Sequence, residues 1–267
     1  MTSLFDAFDY DAAIQAWTDP NPAPVLEDHQ GILVVRDDLL GVGTKARGAD
    51  YLIGHDPNYT HVTDWVIGSC PATGYAQISL PAVCRRYNKR AHIFMAERDP
   101  AKYHDYQRRG LALGGDYHWV PNGMLSVTKA RAREFVEAAP QSRMLIPMGL
   151  EHPAVFAAMA RVARSLPVTP DYVWSVGSSG TLTRSLQRAW PNAEVHVVST
   201  GHKMTEDERG RAILHTTRYK FDQPVKDAEL PPFPSAREYD AKAWAPLREW
   251  FTTTRPTGTV LFWNVGA

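Results

Sequence analysis

The sequence is poor in the features that mark secreted, membrane and metal-scaffold proteins. It has two cysteines in 267 residues, Cys70 and Cys84, too few for a disulfide framework and not spaced as a C-x-x-C or Cys/His ligand set. No apolar run approaches the roughly 18 residues of a membrane span. The N-terminus, M-T-S-L-F-D-A-F-D-Y-D, lacks the basic region and apolar core of an export signal. Net charge is missing as well: 29 Lys+Arg stand against 29 Asp+Glu, so no global field draws the chain to nucleic acid or anionic lipid. Ten histidines show no metal-ligand spacing. There is no internal repeat, no G-x-G-x-x-G and no Walker G-K-[ST]. A cytoplasmic protein with no membrane partner and no metal is the expectation.

What the chain does have is core-forming content, 44% hydrophobic against 22% charged, enough for one large domain or two connected smaller ones. Residues 11–17 predict a short helix, stopped by D-P-N-P-A-P at 19–24. Gly31–Val35 predicts a strand, and Lys45 opens a helix carrying Tyr51, Leu52 and Ile53. A strand in H-V-T-D-W-V-I, a small-residue turn at 68–74, a helix through Ile78, Leu80, Val83, Cys84 and Tyr87, and the strand A-H-I-F-M-A make a βαβ crossover. A parallel sheet is its consequence. The rhythm repeats with a polar helix after Tyr103, a stop at Gly114 and Gly115, a short strand, a helix over Leu125–Ala139 and a strand in S-R-M-L-I. Then come a helix over Ala154–Ser165, a buried strand in D-Y-V-W-S-V and a strand at Glu194–Ser199. The tail reads as polar loop, a helix through Tyr239 to Phe251 and a last strand T-V-L-F-W-N-V.

Several residues are candidates for chemistry. Lys45 lies at a strand-to-helix junction relieved by Gly41 and Gly43. A helix N-terminus and low-dielectric surroundings disfavour the charged amine, which can then attack an aldehyde; a solvated turn lysine fits the same residues. The turn Gly177, Ser178, Ser179, Gly180, Thr181 joins an apolar strand to a helix, so its backbone N–H groups can cradle a phosphate, or it is only a tight βα connection. Asp240 in E-Y-D-A-K-A-W suits a helix N-cap. Cys70 reads as a buried structural cysteine or a reactive thiol. Glu151 and His152, at a strand exit, could touch substrate or be only solvated.

The run Arg36, Asp37, Asp38, Gly41, Gly43, Lys45, Arg47, Tyr51, Leu52, Ile53 resembles the K-R-E-D...G-G-N-K-x-R-x-L-E-Y-L-I segment of fold-type II (tryptophan synthase beta-like) pyridoxal-phosphate enzymes. The nearest group is that of 1-aminocyclopropane-1-carboxylate (ACC) deaminase and D-cysteine desulfhydrase. The resemblance implies that Lys45 carries pyridoxal 5'-phosphate and that Gly177 to Thr181, similar to the family's G-S-G-G-T loop, hold its phosphate. It implies that the turn G-S-C-P-A-T-G at 68–74 meets the ring and the substrate carboxylate, with Thr73 on the pyridoxal hydroxyl and Ala72 and Gly74 on the substrate side. It further implies Tyr239 as an active-site tyrosine and Asp240 as the partner of the pyridine nitrogen. Three departures stand out. Thr44 replaces the family's Asn. Ala72 replaces a serine, so ring opening by a serine-assisted route is unsupported. Val265 replaces the desulfhydrase threonine.

The expectation is therefore an α/β fold-type II enzyme: two three-layer α/β domains with parallel-rich sheets and the cofactor in the cleft between them. Residues 1–56 and 140–267 would form the large domain, and 57–139 the small one. The implied activity is a lyase acting at the alpha carbon of an amino-acid-type substrate by deamination, elimination or decarboxylation, in a homodimer. Two alternatives remain: an enzyme like the phage-encoded relatives thought to act on amino-acid-modified thymine in DNA, and a non-catalytic nucleotide- or phosphate-binding module.

Overall fold

Strand-then-helix alternation builds two parallel-rich sheets in this computed structural model, which describes residues 8–68, 70–121, 123–201 and 203–267. The first seven residues and Ser69 of the 68–74 turn, both read above, lie outside the described residues. In chain order, α1 (Tyr10–Ala13) is followed by β1 (Leu26–His29), β2 (Ile32–Arg36) and α2 (Lys45–Gly54). Next come β3 (Asp64–Ile67), α3 (Ala76–Arg86), β4 (Arg90–Ala96), α4 (Asp105–Ala112), β5 (Asp116–Val120), α5 (Leu125–Glu137), β6 (Arg143–Ile146) and α6 (Pro153–Arg164). The remainder is β7 (Tyr172–Gly177), α7 (Thr181–Ala189), β8 (Glu194–Ser199), α8 (Glu206–Arg209), β9 (Ile213–Thr216), α9 (Ala241–Thr254) and β10 (Val260–Asn264).

The chain divides into two units, Met1–Thr18 with Lys45–Val155 and Asp19–Thr44 with Phe156–Ala267. The first holds a four-stranded parallel sheet in the order β5-β4-β3-β6. Its inner strands β3 and β4 carry the apolar runs W-V-I and I-F-M, as expected where helices cover a parallel sheet on both faces; Val66, Phe94 and Val120 pack with Ala132 of α5. Helix α2 is fastened by Asp50, which is fully buried. Asp50 takes the Arg86 guanidinium in an ion pair, accepts from the Tyr87 hydroxyl at 2.8 Å and accepts from Trp17 Nε1 at 3.4 Å.

The second unit holds a six-stranded sheet in the order β1-β2-β10-β7-β8-β9, antiparallel only at β1–β2. Ile32, Val34, Trp174 and Phe262 meet Trp244 and Leu247 of α9 in its core. Burying side chains of this size contributes about 1.5–3 kcal/mol each. Because β2, β10, β7 and β8 run parallel, Arg36, Asn264, Gly177 and Ser199 all finish at one carboxyl edge, the edge where open α/β sheets bind ligands.

Two expectations need correction. The polar stretch between Ser199 and Pro231 contains α8 and the edge strand β9 as well as loop. I-L-H-T is short and half exposed, so it lacks the apolar signature of the inner strands. The unit boundaries also differ from those drawn at residues 57 and 139. Strand β6 pairs with β3 from Asp64↔Arg143 to Ile67↔Ile146, and Asp50 ties α2 to Arg86 at the end of α3. These contacts put Lys45–Val155 with the smaller sheet.

Candidate active site

The carboxyl edge of the six-stranded sheet is built around the turn after β7. Gly180 has φ +72, and a Cβ there would lie 1.7 Å from the Glu208 backbone oxygen; a Cβ on Gly177 would come within 2.8 Å of Val197 Cγ2 and 2.9 Å of Met204 Sδ. Glycine is therefore required by the close approach of α8 and the loop before it. No side chain caps α7, so its first-turn N–H groups keep the orientation that binds anions. The Ser179 and Thr181 hydroxyls, 3.1 Å apart, add donors at the same turn. Gly180→Ala is expected to lower the melting midpoint by several degrees, since the left-handed backbone alone costs about 1–2 kcal/mol, and to weaken binding of inorganic phosphate. Unchanged melting and binding would show that the turn does not depend on this glycine.

Tyr239 and Asp240 precede α9, Tyr239 lying against the turn after β7 and Asp240 against the segment after β10. The Tyr239 hydroxyl donates to the Val176 carbonyl at 3.4 Å beside the Ser178 backbone; burial and the neighbouring Asp240 raise its pKa above the ordinary phenol value. Asp240 is fully buried. It stands at the N-cap position of α9, yet its backbone is helical and its side chain makes no capping bond, so the cap role is not the one its carboxylate performs. Its Oδ2 accepts from the Gly266 N–H at 3.2 Å instead. Two residues on, Lys242 escapes notice in the sequence. It is buried, its Nζ donates to the carbonyls of Lys220 and Phe221 at 2.8 Å each, and burial brings its pKa down to about 8.

The turn leading to Lys45 is knotted from within the same unit. Gly41 and Gly43 take φ of 68° and 74°. Thr44 then donates its N–H to the Val265 carbonyl at 3.2 Å and its hydroxyl to Asp37 Oδ2 at 2.8 Å. Trp263 Nε1 donates to both Thr44 Oγ1 and Asp37 Oδ2, at 3.0 and 3.1 Å. The departure at position 44 thus has a structural use: a threonine hydroxyl both donates and accepts in this buried triangle. Lys45 follows directly as the first residue of α2 and is half-buried.

Within its own unit, Lys45 is close enough to Cys70 for its charge to act on the thiol. Burial nonetheless pushes the Cys70 thiol up to about 12, so this is a structural cysteine with no thiolate near neutrality. Ala72, Thr73 and Gly74 follow it, each half-buried. Their turn is held by Gln77, which no sequence motif marks out. The fully buried Gln77 amide donates to the carbonyls of Ala72 at 2.7 Å, Gly74 at 2.9 Å and Pro71 at 3.3 Å, while its Oε1 accepts from the Tyr117 hydroxyl at 3.1 Å.

His152 is placed at the start of α6. It is buried, with Nδ1 accepting from the Ala154 N–H at 3.2 Å and Nε2 3.0 Å from the Tyr59 hydroxyl. The proton therefore sits on Nε2, and the ring caps α6 against Tyr10 and Tyr59. Glu151, beside it, is half-buried. Burial depresses the His152 pKa to about 4. The unfolded chain takes up this proton near pH 6.5 and the folded chain only near 4, so the stabilisation is complete above 6.5 and is lost as pH falls toward 4. The loss is up to about 3 kcal/mol. His152→Asn keeps a cap acceptor and cannot titrate, so its stability should fall less steeply over that range in urea melts; equal slopes would refute a buried neutral imidazole.

No protein-family model and no curated protein sequence matches the chain significantly. Solved structures do. An ACC deaminase homologue aligns over 96% of this chain and 94% of its own, with TM-score 0.79 and 14% identity. The processed form of threonine deaminase isoform 2 from Solanum lycopersicum aligns over 97% and 83%, with TM-score 0.70 and 17% identity. A fungal L-serine ammonia-lyase from Rhizomucor miehei aligns over 92% and 94%, with TM-score 0.65 and 11% identity. The chain has the fold of the fold-type II pyridoxal-phosphate enzymes that its motifs resemble.

Proposed function

We propose that the chain is a pyridoxal-phosphate-dependent lyase acting at the alpha carbon of an amino-acid-type substrate. The observation that carries this reading is the carboxyl edge of the six-stranded sheet, where a glycine-dependent uncapped turn, the Tyr239 phenol and the buried Asp240 carboxylate come together. These residues fit the group: α7 offers N–H donors for a phosphate, and a buried carboxylate suits a protonated ring nitrogen. When bound, pyridoxal phosphate supplies an electron sink for charge released at the substrate's alpha carbon.

The chain's own residues do the rest. Lys45 would hold the cofactor through its Nζ and would serve as acid or base at the substrate's alpha carbon. Asp240, steadied by the Gly266 N–H, would favour a protonated pyridine nitrogen. Gly177 to Thr181 would bind the phosphate, with Tyr239 bracing their turn at Val176. Thr73 would donate to the ring hydroxyl, and the small Ala72 and Gly74 would leave room for a substrate carboxylate. Ala72 has no hydroxyl, so a serine-type attack from that position forms no part of the reaction. The similar structures, an ACC deaminase homologue, a threonine deaminase and an L-serine ammonia-lyase, favour deamination or elimination over decarboxylation.

The test is a screen. Purified protein reconstituted with pyridoxal phosphate should show an absorbance band near the visible edge, and amino acids, free or linked to a thymine base in DNA, are compared for shifts of that band and for release of ammonia, a keto acid or carbon dioxide. A shift and ammonia release with a free amino acid support the proposal. Response to base-linked amino acids alone moves the activity to DNA modification, and no band after reconstitution overturns the proposal.

A further inference from the structure

At the amino-terminal end of the four-stranded sheet, the opposite edge from the 68–74 turn, three strands bring together residues that the proposed chemistry does not use. His92 of β4 is buried, and its Nε2 lies 2.6 Å from Asp64 Oδ1. Asp64 is itself fixed by Arg90, with Nε–Oδ1 2.7 Å and Nη2–Oδ2 2.9 Å, and by the Thr63 hydroxyl at 2.6 Å. The carboxylate therefore holds the imidazole proton on Nε2, and Nδ1 turns a lone pair to the other side. There it meets two more donor atoms, His118 Nε2 at 3.0 Å and Asp116 Oδ2 at 3.1 Å, which lie 3.6 Å from each other.

These separations are those of a metal's ligands. A tetrahedral ion with bonds of about 2.0–2.2 Å sets its ligand atoms roughly 3.3–3.6 Å apart; the three gaps need change by only a few tenths of an ångström. The surroundings match as well. A carboxylate on the far nitrogen of a ligating histidine fixes the ring's tautomer and orientation, and Asp64 stands in that position to His92. His118 is held in plane by stacking on Phe94, with centroids 4.2 Å apart and planes at 3°. The side chains of His118 and Asp116 are 30% and 60% exposed, so an ion and a water as fourth ligand can enter from solvent.

The donors also select the ion. Asp64 is paired with the Arg90 guanidinium, and the Arg143 guanidinium, 3.8 Å over the Phe135 ring that packs on both histidines, adds a second positive charge near His118. With no excess negative charge, oxygen-seeking calcium or magnesium gains little, whereas two imidazoles favour zinc, cobalt or nickel. We propose that His92, Asp116 and His118 form a site for one zinc-type divalent ion that clips edge strand β5 to β4.

The second unit supplies an internal control. His196 Nδ1 and His215 Nε2 on β8 and β9 repeat the contact at 2.9 Å, and Glu194 Oε1 takes the place of Asp64 at 2.9 Å from His196 Nε2. Among the described residues, only the 92/116/118 cluster adds a third ligand.

Chelator-stripped full-length protein is titrated with zinc by equilibrium dialysis and with cobalt(II) by its visible absorption. One saturable equivalent is expected, with a zinc-dependent rise in melting midpoint. Asp116→Ala and His118→Ala should weaken binding at least tenfold, and His215→Ala should leave it intact. Asp116 is mostly exposed, so its variant keeps the test decisive even where His118→Ala misfolds. Absence of a saturable equivalent for either ion, undiminished binding in Asp116→Ala, or loss in His215→Ala overturns the proposal.

Discussion

Lys45→Ala is expected to abolish turnover while the protein stays folded. On the proposed reading, removing the amine takes away both the covalent tether and the group that moves the alpha-carbon proton, and a positioned acid-base group alone contributes about 10²–10⁴-fold in rate. Stability should change little, because alanine is the best helix former at the start of α2 and the turn before it is knotted by Thr44, Asp37 and Trp263. The uncapped turn of α7 can still hold the cofactor's phosphate without a covalent bond. The check pairs a melting curve with turnover on whichever substrate the screen identifies. Wild-type turnover in this variant would remove Lys45 from the chemistry.

Asp240 should give the second large effect, in a form that separates charge from structure. Its carboxylate is fully buried and holds the Gly266 N–H without capping α9. Asp240→Asn keeps an oxygen for that N–H but loses the charge that retains the ring proton. Losing one charged hydrogen-bond partner typically costs about 1.5–3 kcal/mol, or roughly one to two decades in the rate per folded molecule. Asp240→Ala should show the same rate loss and, in addition, about 1–3 kcal/mol of lost stability from a buried N–H left unpaired. Single-turnover rates beside melting midpoints decide it. Asp240→Asn with an undiminished rate would leave the residue a purely structural tie between the start of α9 and the C-terminus.

The inner strands were legible because a parallel strand covered on both faces is written as an apolar run: V-V at 34–35, W-V-I at 65–67 and V-L-F-W at 260–263. Strand β9 was not, since an edge strand needs burial on one side only. The small sheet's fourth strand, β6, was visible as a strand but not as a member of that sheet, because its partner β3 lies 79 residues earlier in the register Asp64↔Arg143. At the candidate site, the strand-to-helix turn at Gly177 to Thr181 was readable because one short stretch forms the whole of it. Contributions arriving from far along the chain were not. Trp263 completes the knot at Thr44 from 219 residues away. His92, Asp116 and His118 meet only through strand register, so no ligand spacing exists in the sequence to be found. His152 looked like a loop histidine until Tyr10 and Tyr59 closed over it.

Two lysines could in principle carry an aldehyde cofactor: Lys45 at the start of α2, and Lys242, whose pKa burial brings down to about 8. The Lys242 ammonium is committed to the backbone carbonyls of Lys220 and Phe221. The decisive measurement is borohydride reduction of the pyridoxal-phosphate-loaded protein, followed by intact mass and peptide mapping. One reduced cofactor per chain, located on Lys45, is the predicted result; label on Lys242, or no added mass at all, would contradict it.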